Sequence, residues 1–361
     1  VLALALSYLS PWLAYLPSLI TIWSLDVMTG SIRLIGHWRA ADLRVPAPAM
    51  VTCLGSVFLF AAAVTLARRR PLIACMGLAG LVVSAAWIFL LPPKPQLHSG
   101  IFEITAIDVG QGDSILLVTP GGKTVLMDAG GIPGTAHSDF DVGEEVVSPY
   151  LWSRGIRHLD AVALSHAHSD HLGGMANIIA NFRPRGVGDG RESPGPEFAR
   201  LESVARSYGV ALKQYRAGET LSFGGIGIRV LNPQPDWDAR VPAQDDESLV
   251  LRVEYGATSA LLAGDSHERI EKLLIAENPQ ADLLKVGHHG STTSSSPEFL
   301  AAVKPRFAVV SAGFYNNFKH PRREVMSRYA AAHITTYRTD LDGAISFFLD
   351  GHNITAMPVP R

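Results

Sequence analysis

The stretch "LSHAHSDHLGG", residues 164–174, sets His166, His168, Asp170 and His171 within six positions, directly after the apolar run "DAVALS" at 160–165. The run reads as a buried strand that ends at the histidine cluster, with a helix to follow. Neutral imidazole and carboxylate are the donors that Zn, Mn and Fe take, and a strand-to-helix turn aims several of them into one small volume. A lone histidine reads as a surface or core residue; four such donors in six residues read as a metal-binding loop.

Two later runs end in the same way: "ALLAGD" at 260–265 closes on Asp265 and "LLKVGHHG" at 283–290 on His288. Either alone is an ordinary strand end, but together with the first cluster they make a site for two metal ions. In an extended segment His289 faces away from His288 and so is not counted with the site.

Around these motifs the chain from Ile101 onward is a mixture of short strands and helices. "FEITAIDV", "SILLVT" and "KTVLMD" read as strands, as do segments near 226–231, 248–254, 259–263, 306–310 and 343–349. Helices are expected at about 172–181, 196–208, 266–276, 297–303 and 322–332. Two sheets with helices packed outside is the economical layering for such a chain, an α/β class. Gly110, Gly112, Gly121 and Gly122 are assigned to hairpin turns, with Asp113 and Ser114 at the mouth of the site.

The first 97 residues are different. The runs 49–67 and 71–91 carry no charge over 19 and 21 residues, and residues 1–25 are also uncharged. A bilayer core of about 30 Å takes about 20 apolar helical residues, so three spans are expected, with an interfacial helix over about 26–40. Arg68, Arg69 and Arg70 form a basic turn that the positive-inside rule puts in the cytoplasm, so the domain from 98 to 361 is expected outside it. The chain opens on Val1 in apolar sequence and reads as the C-terminal part of a longer multi-pass protein of the plasma (inner) membrane. "PPKPQ" at 92–96 reads as a stiff linker.

Charge divides along the same line. Residues 1–97 hold two acids and seven bases, which leaves 31 acids and 24 bases beyond them. The acidic excess excludes a C-terminal domain that grips polyanions by bulk charge. Cys53 and Cys75 both lie in apolar runs, so the soluble part has neither a disulfide framework nor a cysteine zinc site.

H-x-H-x-D-H, a strand ending in Gly-Asp and a strand ending in histidine resemble the metallo-β-lactamase superfamily, whose fold is an αββα sandwich. "IDVGQGDSILL" (107–117), "LMDAGG" (126–131), "VGHHGSTTSSSPEFL" (286–300), "KHP" (319–321) and "YRTDLDGAI" (337–345) resemble the C-terminal branch of the ComEC family, the DNA-internalisation channel of natural competence. The likeness covers roughly 100–349; residues 1–91 match that family's last spans by hydropathy and order alone. It implies that His166 and His168 hold one divalent ion, that Asp170, His171 and His288 hold a second, that Asp265 bridges, and that Asp128 orients the histidine loop. The wider superfamily gives the first metal another histidine, whereas residues 172–264 contain none. In "DDESLVL" Asp245 either takes that place, favouring Mn²⁺ over Zn²⁺, or belongs with Asp246 to a solvated turn.

Two such ions suit hydrolysis of a phosphodiester without a protein nucleophile. Asp170 and His320 are the catalytic candidates; His320 either meets a phosphate or protonates the leaving oxygen, or only fixes the loop before Pro321. Asp113, Ser114, Ser291, Lys319 and Arg338 are the substrate-binding candidates, with Arg322 and Arg323 adding local charge. The resulting expectation is a membrane-tethered nuclease that degrades one DNA strand during import, working with DNA, the membrane, the rest of the channel, a DNA receptor and the uptake machinery. Its rivals are a lactone or thioester hydrolase, marked by a closed apolar pocket, and a catalytically weak structural gate.

Overall fold

Apolar helices and strands separate cleanly along the chain. The computed structural model describes residues 2–8, 10–36, 48–67, 70–90, 94–134, 140–191, 195–235 and 245–359. It falls into two units, Val1–Pro48 with Thr52–Leu91, and Pro92–Arg361 with Ala49–Val51. The second unit therefore begins before residue 98. Gln96 donates its backbone N–H to Arg154 at 2.9 Å and Leu97 packs on the core, so part of the expected linker belongs to the globular fold.

The first unit holds α1 (Leu2–Ser7), α2 (Pro11–Gly36), α3 (Met50–Leu66) and α4 (Pro71–Leu90). Proline opens α2 and α4, a position where its missing N–H leaves no helical bond unmade. The expected division between a span at 1–25 and an interfacial helix from 26 does not occur, because α2 runs unbroken through both. Among the described residues two helices, over Pro11–Ile35 and Pro71–Leu90, are long and apolar enough to cross a membrane, whereas α3 has 17 residues. Small residues join α3 to α4: a Cβ added to Gly77 would lie 2.8 Å from the Ala63 Cβ, and the Ser56 and Ser84 hydroxyls are 3.0 Å apart. Residues 37–40 of the expected interfacial helix, Arg68 and Arg69 of the basic turn, and residues 91–93 lie outside the described residues.

In the second unit the strands are β1 (Phe102–Ala106), β2 (Ile115–Val118), β3 (Thr124–Met127), β4 (Ala161–Leu164), β5 (Gly186–Asp189), β6 (Ala211–Gln214), β7 (Thr220–Phe223), β8 (Ile226–Asn232), β9 (Val250–Tyr255), β10 (Thr258–Leu262), β11 (Leu283–Lys285), β12 (Phe307–Val310), β13 (Thr335–Arg338), β14 (Ile345–Leu349) and β15 (Ile354–Pro358). The helices are α5 (Ser148–Ser153), α6 (Ser169–Leu172), α7 (Met175–Phe182), α8 (Pro196–Ser207), α9 (Glu268–Ala276), α10 (Pro297–Val303), α11 (Arg323–Ala331) and α12 (Thr339–Asp342). One sheet runs β15-β14-β1-β2-β3-β4-β5-β6 and the other β13-β12-β11-β10-β9-β8-β7.

Alternate residues of a strand enter different cores, which is why these runs are apolar throughout rather than alternating. Ile115, Leu117, Val125 and Met127 meet Leu251, Ala260, Leu262 and Leu283 between the sheets. Leu116, Leu126, Val162 and Leu164 point the other way, onto Leu151, Ile178, Phe182 and Leu201 of α5, α7 and α8. On the far sheet Leu261, Leu284 and Val310 pack on Leu274, Leu300 and Tyr329 of α9 to α11. The layers are thus helix, sheet, sheet, helix, the αββα sandwich.

Strands β3 to β6 and β10 to β13 are parallel within their sheets. Loops leaving the carboxyl ends of parallel strands gather at one edge, the place where open α/β sheets carry their sites. Here those loops hold Asp128 after β3, the histidine cluster after β4, Asp265 after β10, the His288–His289 turn after β11 and His320 after β12. The Ser165 carbonyl accepts the Leu249 N–H at 2.7 Å, joining the two sheets beside the cluster.

Candidate metal centre

Among the described residues four donor sets form at this edge. In each the donor atoms lie within 4.8 Å of one another: Asp170, His171, Asp265 and His289; His166, His168 and Asp245; Asp245, His267 and His288; and, buried beneath them, Asp113, Asp128 and His171.

The deepest set is built from α6, which starts inside the quoted stretch. Asp128, held at φ +60°, accepts from the Ser165 N–H and hydroxyl, both at 2.7 Å, and faces His171 Nδ1 at 2.8 Å. With Nδ1 donating to that carboxylate, His171 Nε2 is directed to Asp265 Oδ2, 3.3 Å away. Asp128 thus ties both Ser165 and His171 to the end of β3. Asp128→Asn is expected to weaken metal binding about 10- to 100-fold while the fold persists, measured by isothermal titration with Mn²⁺ and Zn²⁺. Affinity equal to that of the unaltered chain contradicts the role.

The histidine pair of "VGHHG" divides between two donor sets. His289 Nε2 stands 3.3 Å from both Asp170 Oδ2 and Asp265 Oδ2, whereas the nearest Asp265 oxygen to His288 Nε2 is 4.0 Å away. Strand alternation does not apply, because both residues lie in the left-handed region, His288 at φ +44° and His289 at φ +52°. The turn brings His289 inward, where its Nδ1 meets the Ser311 carbonyl at 3.0 Å. His288 instead joins His267, whose Nε2 is 2.7 Å from His288 Nδ1 and 3.1 Å from Asp245 Oδ2. Sequence reading passed over His267, although it stands two residues after Asp265 in "GDSHE".

Asp245 is the hub of the outer sets. Its Oδ1 lies 2.9 Å from His168 Nδ1 and 3.5 Å from His166 Nε2. Its carboxylate, 16% exposed, faces four histidines, His166, His168, His267 and His288, all within 4.0 Å. Asp246 lies beside it and accepts the His267 N–H at 3.3 Å.

Several substrate-binding candidates lie elsewhere than expected. Asp113 and Ser114 are 1% and 0% exposed, beneath the centre and not at its mouth. The loop after β1 tucks under α6, with Asp113 N–H on the Asp170 carbonyl at 3.2 Å. Gly112, at φ +137°, lies in the connection between antiparallel β1 and β2 and fits there because a Cβ would strike that same carbonyl. Asp113 pairs with Lys285, another buried residue that sequence reading did not single out. Ser291 is buried in a turn, where its hydroxyl accepts from Thr293 Oγ1 at 3.0 Å. Arg338 is forked onto Asp340 at 3.0 and 2.6 Å, so its charge is already answered. Lys319 is exposed, next to His320, whose ring lies 5.7 Å from that of His288.

The electrostatics are those of a cation site. Burial pushes the Asp265 carboxyl up, but His289 and His171 outweigh it and hold Asp265 well below the carboxylate range. Burial likewise lowers His289, yet Asp265 and Asp113 bring it up to about 10; His171 is raised well above its ordinary value by Asp265 and Asp128 against burial. His166 stays below the usual imidazole value because burial and His171 prevail. His166 Nε2, His171 Nε2, His289 Nε2 and Asp265 Oδ1 are buried and find no hydrogen-bond partner among the described residues. Each such group costs about 1–3 kcal/mol, and divalent cations would satisfy all four. Nitrogen and carboxylate donors without cysteine fit Zn²⁺ or Mn²⁺.

Residues 107–313, more than half of the chain, match the family model described as the metallo-beta-lactamase superfamily. The chain belongs to the metallo-beta-lactamase superfamily. Within it the chain is similar to proteins of bacterial competence. It is 32% identical over 324 residues to ComE operon protein 3 of Bacillus subtilis, covering 84% of this chain and 39% of that one. It is 33% identical over 256 residues to Competence protein ComA of Neisseria gonorrhoeae, covering 70% and 33%. Against Recombination protein 2 of Haemophilus influenzae it is 30% identical over 258 residues, covering 71% and 30%. The chain thus spans well under half the length of each of these relatives.

Proposed function

We propose that this superfamily member is a metal-dependent phosphodiesterase of a membrane DNA-uptake protein, acting on one strand of DNA during import. The observation that carries the reading is the convergence of two neighbouring donor sets, one deep and one open to solvent: the rings of His166 and His171 are 4.2 Å apart, and the His168 side chain is 51% exposed. His166, His168 and Asp245 would hold one divalent ion, and Asp170, His171, Asp265 and His289 the other. When bound, such a pair supplies electrostatic stabilisation of the attacking and leaving oxygens in an in-line displacement.

The chain's own residues set the reaction up. Asp128 and Ser165 fix the ring of His171, and the Ser311 carbonyl, accepting from Nδ1, fixes that of His289. His320 is lowered to about 4 by burial and by His289 and His288, so it is neutral at neutral pH. A neutral imidazole beside the donors serves a phosphate oxygen by donating a hydrogen bond more readily than it delivers a proton. An open, charged edge also suits a polymer better than a lactone or thioester. The apolar cavity of about 400 Å³ near Leu221, Phe223 and Tyr215 lies between the sheets and is lined by none of the donors.

The similarity to competence proteins supports DNA as the substrate and the rest of a channel, a DNA receptor and the uptake machinery as partners. Helices α2 and α4 support a membrane location, and the basic sequence Arg68-Arg69-Arg70 supports the outer face for the sandwich. The full chain in detergent should cleave single-stranded DNA with Mn²⁺ or Zn²⁺ and lose that cleavage with chelator and in His168→Ala. Cleavage that survives both removes the metal-dependent reading.

A further inference from the structure

The loop from Gly313 to Arg323, "GFYNNFKHPRR", carries three cations, no acid and three aromatic rings. Most large apolar side chains of the sandwich unit are buried, yet Phe314, Tyr315 and Phe318 are 63%, 90% and 47% exposed. Lys319, Arg322 and Arg323 are exposed beside them and have no carboxylate partner among the described residues.

The loop is held in place. Gly313 N–H donates to Gln111 Oε1 at 3.2 Å, and Arg322 N–H to the Gly290 carbonyl at 2.9 Å, in the turn that carries His288 and His289. Asn316 closes it from within: Oδ1 accepts the His320 N–H at 2.9 Å, while Nδ2 donates to the Gly313 and His320 carbonyls. Tyr315 and Lys319 adopt φ +53° and +59°, a backbone that only a firmly built loop keeps for side chains of this size. The rings continue outward from the metal centre. His320 stands 5.7 Å from His288, Phe318 stacks on His320 at 5.9 Å and 26°, and Phe314 meets Tyr315 edge-on at 4.3 Å.

We infer that Phe314, Tyr315 and Phe318 are a stacking platform for the unpaired bases of a single DNA strand, with Lys319, Arg322 and Arg323 on its phosphates. Exposed rings interleaved with cations are the sequence-independent way to hold a single strand, since every base offers a π-face and every linkage a charge. A duplex keeps those faces stacked on one another. The cations also supply locally the positive charge that the acidic unit lacks as a whole. The stacking of Phe318 on His320, next to the donors, favours the substrate over a lipid surface, the other environment in which aromatic and basic residues mix.

This inference rests on the phosphodiesterase reading, and the test separates the two. Binding of a fluorescent single-stranded oligonucleotide to the full chain in detergent is measured with chelator present, where nothing is cut. Phe314→Ala with Tyr315→Ala is expected to weaken binding at least about tenfold, and an oligonucleotide of abasic linkers to bind the unaltered chain as weakly as the variant binds DNA. Hydrolysis of bis(p-nitrophenyl) phosphate, a diester without bases, should be the same in both proteins under Mn²⁺. Unaltered oligonucleotide affinity in the variant, or equal affinity for abasic and normal strands, overturns the platform. So does a variant that keeps its DNA affinity but loses cross-linking to a photoactivatable phospholipid in nanodiscs. Failure of the unaltered chain to hydrolyse the small diester counts against the phosphodiesterase reading alone, because binding is read without turnover.

Discussion

Replacing His289 with alanine is expected to lower metal-dependent phosphodiester hydrolysis by more than about 100-fold, beyond the range typical of partners that only support a metal centre. His289 Nε2 is 3.3 Å from both Asp170 and Asp265, fully enclosed, and without any other acceptor. Its loss removes a nitrogen from the deep set and leaves two close carboxylates that repel without their imidazole. Metal content measured by mass spectrometry should fall with the rate. His288→Ala is the control: its ring is partly exposed and paired with His267, and its effect should stay within about tenfold. A larger loss for His288→Ala than for His289→Ala would return the second ion to the residue that sequence reading favoured.

The second large effect is on stability. Lys285 is 1% exposed; its ammonium pairs with Asp113, donates to the Gly264 carbonyl at 3.2 Å and lies 3.7 Å from Asp265 Oδ1. Burial works against its charge, but Asp113 and Asp265 keep the Lys285 pKa above its ordinary value, so the group is an ammonium under the donor floor. Lys285→Met takes from buried Asp113 its paired ammonium and leaves it only the imidazoles of His289 and His171, 3.6 and 3.8 Å away, a loss of about 3–5 kcal/mol, or on the order of 10 °C in Tm for a unit of this size. Adding Asp113→Asn removes the stranded charge and should recover much of the loss. Thermal unfolding of the full chain in detergent reads both. A Tm within about 2 °C of the unaltered chain for Lys285→Met would show that the pair contributes little.

The elements were largely legible because each obeys a local rule. The run 160–165 predicts β4 (Ala161–Leu164), and 297–303 predicts α10, which Ser296 caps by accepting from the Phe299 N–H and Lys304 ends in the left-handed region. Short edge elements such as β6 and β7 escaped, since their exposed, alternating residues carry little signal beyond polarity. Helix α2 defeated the division at residue 25 because Asp26 and Arg33 are tolerated within one continuous apolar helix.

The sequence by itself determined the layered fold, the separation of apolar helices from the sandwich, and the strand-end placement of the candidate donors His166, His168, Asp170, His171 and Asp265, which follows from period and turn chemistry. Tertiary structure alone decided that His289 rather than His288 faces Asp265, that His267 joins Asp245, and that Asp113 lies under the centre against Lys285. Those outcomes depend on consecutive left-handed residues and on loops from two sheets meeting at one edge. No alternation pattern along a single chain segment records either.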